Sequence, residues 1–264
     1  MAIYERGAFL NTMGAIFTGG SAFVIMGLII SNSDYDKRGQ WRYTFDKYLN
    51  NTSSYTFRYI WIVITSLLTS FVYHGIAVVG SCSRGGAYKS VVDGTKKNTA
   101  RWVEHAGGGA LMFLAVACTV GITNIELLAV LAFMDVSEKL LNITMESGEG
   151  RKGSSGKVAW VIATLHWSVK WIILAIHYFY LVTDKPVNAF PGPGWILFPT
   201  YLAISMVQHW VAVPWFDSCI NWFAGGNQEA FMTGLEFLKR CFAAWFIFGY
   251  FLWTNDELDT FQIA

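Results

Sequence analysis

The chain has 264 residues, 54% of them hydrophobic and 17% aromatic but only 14% charged, against about 25% charged in an average soluble domain. That balance excludes a disordered chain and argues against a soluble enzyme. Lys and Arg total 19 and Asp and Glu 18, with no long basic block, so nucleic acid is excluded as a partner; Cys82, Cys118, Cys219 and Cys241 stand at no metal-like or disulfide-framework spacing.

Uncharged stretches set the organisation, because a membrane helix needs about 20 mostly apolar residues to cross a hydrocarbon core about 30 Å thick. The first such stretch lies between Arg6 and Asp34 and predicts a helix over about 8–31; it is too long for a signal-peptide core and is expected to remain in the chain. Residues 32–58 form a long polar loop. The second helix, about 59–82, fills the uncharged interval between Arg58 and Arg84, and the third, about 99–121, takes most of the interval between Glu104 and Glu126. A tight turn at Gly121 to Asn124 leads into the fourth, about 123–145, which carries Glu126, Asp135, Glu138 and Lys139. The fifth, about 158–183, has Lys170 as its only formal charge. Pro186, Pro191 and Pro193 punctuate the next loop, and the sixth helix runs over about 195–223.

The seventh segment is the informative one. Only 13 residues, Cys241 to Trp253, are free of charge before the polar tail begins at Thr254, which is too short to span. The helix therefore extends back to about 229, carrying Glu236, Lys239 and Arg240 into the bundle, where charges are costly and mark functional sites. The expectation is a single all-α domain of seven transmembrane helices in a lipid bilayer, an integral multi-pass protein of the cell membrane. With an inward N-terminus the inner loops hold nine Lys and Arg against six outside, so the positive-inside rule places the N-terminus inside and the C-terminus outside. The acidic tail and overlapping glycosylation sequons at Asn50 and Asn51 agree with this orientation.

Arg101-Trp102-Val103-Glu104-His105, followed by Ala-Gly-Gly-Gly-Ala-Leu-Met, is similar to the third-helix motif of the heliorhodopsins. Val120-Gly121-Ile122-Thr123 and Pro193-Gly194 also resemble that family, and the likeness runs from about residue 8 to about 253. It implies an all-trans retinal joined as a protonated Schiff base to a Lys of the seventh helix, with Glu104 as counterion, and a homodimer; a soluble partner stays unknown. Chemistry asks for the same kinds of residue, since a buried primary amine condenses with an aldehyde and a buried positive charge then needs a carboxylate. Lys239 and Glu104 are the candidates. An ion pair between Glu104 and Arg101, three residues apart, is the structural alternative.

The seventh helix departs from the family pattern, in which a Trp follows the retinal Lys by five residues. Trp245 follows Arg240 by five and Lys239 by six. A gap-free alignment sets Arg240, whose guanidinium forms no Schiff base, at the lysine position; a one-residue π-bulge in this helix would restore Lys239. Lys170 is the rival lysine. Glu236 shares a helix face with both Lys239 and Arg240 and could neutralise either. His74 resembles the family's second-helix histidine, whereas the first helix has Asn11 and no His. His105, Glu126, Asp135, Glu138, His166, His177, His209 and Asp217 are further members of a candidate proton path. Trp167, Trp171, Tyr201, Trp210 and Phe242 are candidate pocket walls, and Gly107, Gly108 and Gly109 allow close approach. Two function classes follow: a retinal photoreceptor, with light-dependent proton transport as an extension, or a retinal-free seven-helix transporter or binding scaffold.

Overall fold

A chain that crosses hydrocarbon must satisfy its backbone polar groups within each segment, and uncharged runs of this length do so as helices. The computed structural model describes residues 3–31, 40–45, 53–58, 60–82, 98–146, 154–184, 192–212 and 227–253. Among them, the first span is α1 (Ile3–Ser31) and the second α2 (Ile60–Cys82). The third is built from α3 (Thr99–Glu104), a π-helical turn (His105–Gly109) and α4 (Ala110–Thr119). The fourth to seventh are α5 (Ile125–Glu146), α6 (Ser154–Asp184), α7 (Gly192–Val211) and α8 (Asn227–Trp253). Ala8–Ser31, Ile60–Ser81 and Ser154–Thr183 are long and apolar enough by themselves to cross a membrane. The third, fourth and seventh spans carry charges that they pair inside the bundle.

Each span packs on its chain neighbours, and the seventh closes the ring on the first and second. Trp245 Nε1 donates to Ser21 Oγ at 2.9 Å across that closure. One apolar core takes residues from every span, including Ile25, Ile64, Phe113, Leu131, Leu174, Phe198 and Ile247. The opposite faces carry exposed Ile30, Ile76, Val79, Phe133 and Phe179. Apolar residues on both faces of a helix are what a lipid environment selects, since lipid solvates the outer side chains.

The turn after the third span follows from one glycine. Gly121 has φ 89°, the left-handed conformation that a residue without Cβ adopts at no steric cost. Gly121 N donates to Cys118 O at 3.0 Å and Ile122 N to Ala117 O at 3.2 Å, which closes the helix end in a Schellman motif. Asn124 then caps the fourth span, its Oδ1 accepting from Leu127 N at 2.8 Å.

The connection read as a plain polar loop, 32–58, holds an antiparallel hairpin of β1 (Gln40–Phe45) and β2 (Ser53–Arg58). Trp41 stands opposite Phe57 and Tyr43 opposite Tyr55. The alternation Trp41, Tyr43, Phe45 is a period-two signal that a search for uncharged runs passes over. The sequons at Asn50 and Asn51, and residues 213–226, into which the sixth segment was expected to extend, lie outside the described residues.

Candidate functional site

The seventh span is one continuous α-helix from Asn227 to Trp253, so the bulge that would have restored Lys239 to the aligned lysine position is absent and Arg240 keeps that position. The π-helical turn lies instead in the third span, across the glycine run that costs least to distort. Without a bulge, Lys239 and Arg240 point about 100° apart around their helix. Arg240 faces the third span and Lys239 the sixth.

Arg240 is fully buried. Its Nη1 and Nη2 both donate to Glu104, the latter at 3.0 Å to Oε2, and its Nε donates to Glu236 Oε1 at 2.8 Å. A guanidinium fork matches a carboxylate in this two-point way, which an ammonium cannot reproduce. Gly108 makes room for it: a Cβ there would lie 2.7 Å from Arg240 Nη1 and 3.0 Å from Glu104 Oε1. Ser66 Oγ donates to the Gly108 carbonyl at 2.6 Å, bracing the π turn from the second span. The glycine run thus admits a guanidinium, and a substitution at Gly107 would meet nothing within 4 Å.

Lys239 is also buried. Its Nζ donates to Gln208 Oε1 at 2.6 Å and lies 3.0 Å from Glu236 Oε2, while Gln208 Nε2 donates to the same Oε2 at 2.7 Å. His105 Nε2 stands 3.7 Å from Glu104 Oε2 and 3.9 Å from Glu236 Oε2. Two carboxylates and two cations therefore balance in charge, as burial requires. Gln208 was not singled out from the sequence; its only signal was an amide beside His209 within an apolar segment.

An aromatic wall begins at Lys239. The Nζ lies 5.3 Å over the Tyr201 ring. Tyr201 is 5.9 Å from Trp171, and Trp171 lies 5.6 Å from Phe113 and 5.9 Å from Phe198. A primary amine at the head of buried rings, next to a carboxylate, fits an apolar polyene aldehyde at position 239. Position 240 does not fit, because a guanidinium forms no such linkage. Phe242 is partly buried and packs on Phe246 at 4.2 Å. Trp210 is 51% exposed beside Trp160, on the outer face.

A second charged cluster joins the fourth, fifth and sixth spans. Lys170, 1% exposed, donates to both Asp135 and Glu138, and Lys139 Nζ donates to Glu138 Oε1 at 2.8 Å. His209 Nδ1 lies 3.7 Å from Glu138 Oε1, and its Nε2 is 3.0 Å from Thr164 Oγ1. Trp167 stacks on His209 at 5.1 Å. Gln208 and His209 are consecutive, so the sixth span touches both clusters.

The remaining candidates scatter. Arg101 pairs with Glu146, to which Asn98 N also donates at 3.2 Å, and not with Glu104. Glu126 is exposed, His166 is partly buried, and His177 Nδ1 lies 2.9 Å from the Ile173 carbonyl. Asp217 lies outside the described residues. His74 Nδ1 is 2.8 Å from Asn11 Oδ1, and its ring fills the notch at Gly14, where a Cβ would come within 2.7 Å of Cδ2. Gly14→Ala is expected to displace that ring and cost about 1–3 kcal/mol, read as a lower melting temperature of the purified protein. An unchanged melting temperature would mean that the notch is not tight.

No curated protein matches the chain. The family model for heliorhodopsin matches residues 11–250, which include the third-span motif, the Glu104 and Arg240 pair, Lys239 and the aromatic wall. An integral membrane bundle of seven helical spans, matched over nearly its whole length, has one consistent assignment: the chain belongs to the heliorhodopsin family of retinal-binding, rhodopsin-like membrane proteins.

Proposed function

We propose that this protein is a light sensor in which all-trans retinal is joined to Lys239 Nζ. What supports the reading is the place of that amine: buried on the seventh span, over Tyr201, with Trp171, Phe113 and Phe198 continuing the wall. When bound, retinal supplies visible absorption and a double bond that isomerises in light. Lys239 holds the group, and the rings exclude water and restrict the direction in which it can lie. Glu236, whose Oε2 lies 3.0 Å from Nζ, would balance the charge there. A colour test decides. Retinal-reconstituted protein is expected to absorb in the visible and to lose the band on hydroxylamine treatment, and a colourless sample overturns the reading.

The reading extends to light-driven proton movement. Glu104, Asp135, Glu138 and Glu236 are all buried, and buried acids hand protons onward when their partners move. Asn11 beside His74 offers no second imidazole to store one. Whole-cell recording under illumination is expected to give a photocurrent whose reversal potential follows the proton gradient and which falls in Glu236→Gln. Absence of current at every voltage would leave a sensor only. The N-terminus is proposed inside and the C-terminus outside, on the nine-to-six distribution of basic residues. A homodimer belongs to the same reading, and crosslinking in membranes tests it.

One observation favours a second reading. Arg240 meets Glu104 as a permanent cation, which suits a bundle that needs no chromophore and acts as a transporter or scaffold. The same colour test separates the two.

A further inference from the structure

The buried charges between the third, sixth and seventh spans are not shared evenly. Glu104 gives both carboxylate oxygens to the Arg240 fork. Glu236 divides its two: Oε1 accepts from Arg240 Nε at 2.8 Å, and Oε2 accepts from Gln208 Nε2 at 2.7 Å and lies 3.0 Å from Lys239 Nζ. Gln208 closes the set, its Oε1 accepting from Lys239 Nζ at 2.6 Å. Lys239, Gln208 and Glu236 thus form a ring of three contacts in which every polar atom of the amide is directed.

A guanidinium stays charged in any protein environment, so Glu104 keeps its partner whatever happens at Lys239. We infer that the carboxylate answering the charge at Lys239 Nζ is Glu236, held in place by Gln208, and that Arg240 has withdrawn Glu104 from that duty. Counterion and amine then sit on one helix, one turn apart, and the bond between the third and seventh spans becomes a permanent ion pair. The assignment rests on retinal being joined at Lys239. Gln208 is a positioning residue: it touches the amine and fixes the carboxylate oxygen that faces it. Gly108 is the structural condition, since any side chain there would collide with Arg240 Nη1.

The test combines absorption spectra of the retinal-reconstituted full chain with melting of the retinal-free chain. Glu236→Gln is expected to move the visible band to the red, or to the near-ultraviolet at neutral pH if the proton at Nζ is lost, and Glu236→Asp to retain the band. Gln208→Leu is expected to shift the pH titration of the band in the same direction as Glu236→Gln. The paired variant Glu104→Gln with Arg240→Gln removes both charges together and is expected to move the band less than Glu236→Gln does, the residual shift coming from the lost Arg240 Nε bond to Glu236 Oε1. In the retinal-free chain, Arg240→Gln is expected to lower the melting temperature and Glu104→Gln in the same chain to restore it. A paired variant that moves the band as far as Glu236→Gln overturns the inference and makes Glu104 the counterion. Failure of Glu104→Gln to restore melting overturns the permanent pair. A colourless wild type instead sinks the linkage at Lys239, and the counterion assignment falls with it.

Discussion

Lys239→Ala is expected to abolish the visible band of the retinal-reconstituted protein, while Lys170→Ala and Arg240→Ala leave absorption in the visible. The linkage needs a primary amine beside the buried aromatic rings, and Arg240 has none. Lys170 is a primary amine, but it donates to both Asp135 and Glu138. A protonated imine there would keep the charge but only one N–H, so one of the two buried carboxylates would lose its bond to Lys170. Lys239 has Glu236 and Gln208 beside it and Tyr201 ahead of it. Loss of colour in the Lys170 variant alone would move the linkage to the fifth span. Loss in the Arg240 variant alone would show that the Glu104 pair is needed to keep the pocket closed.

The second large effect is on stability. Lys170→Met removes the cation that joins the fourth and fifth spans and leaves Asp135 and Glu138, 4% and 1% exposed, with reduced compensation. Breaking one member of a buried ion cluster costs about 3–5 kcal/mol. Lys139, which donates to Glu138 at 2.8 Å, offsets part of the loss for that carboxylate. The variant is expected to unfold at a distinctly lower temperature or denaturant concentration than the wild type. Adding Asp135→Asn and Glu138→Gln should recover most of the difference, because the cost is that of stranded charge and not of lost volume. Equal stability of Lys170→Met and wild type would mean that the carboxylates reach water or take protons at no cost.

The two charged clusters also explain where reading residues in order succeeds and where it stops. Glu236, Lys239 and Arg240 are legible as buried because the 13 uncharged residues after them cannot span a membrane, so the helix must draw them in. Glu104 is legible through the third-segment motif. Which carboxylate meets which cation is not, since Glu104 could as well pair with Arg101 three residues away. The structure gives Arg101 to Glu146 on the neighbouring fourth span and Glu104 to Arg240 on the seventh. Asp135, Glu138 and Lys139 read equally well as a wetted face of the fourth helix. They are buried because Lys170 stands opposite them on the fifth span.

The sequence by itself determined the number of spans, their membrane setting and the residue types of the site, because the cost of unpaired backbone and charge in hydrocarbon is a local quantity that residue counts can estimate. Tertiary structure alone decided the pairings. The π turn at His105–Gly109 and the bare Cα of Gly108 set the depth at which Arg240 enters the third span. The unbroken seventh helix then turns Lys239 toward Gln208 and Tyr201 on the sixth. The aromatic hairpin escaped a count of charges because its signal is alternation and not hydropathy. Contacts between residues more than a hundred positions apart depend on the rotation of each helix about its own axis, which is settled by packing against neighbours and is not written in either segment taken alone.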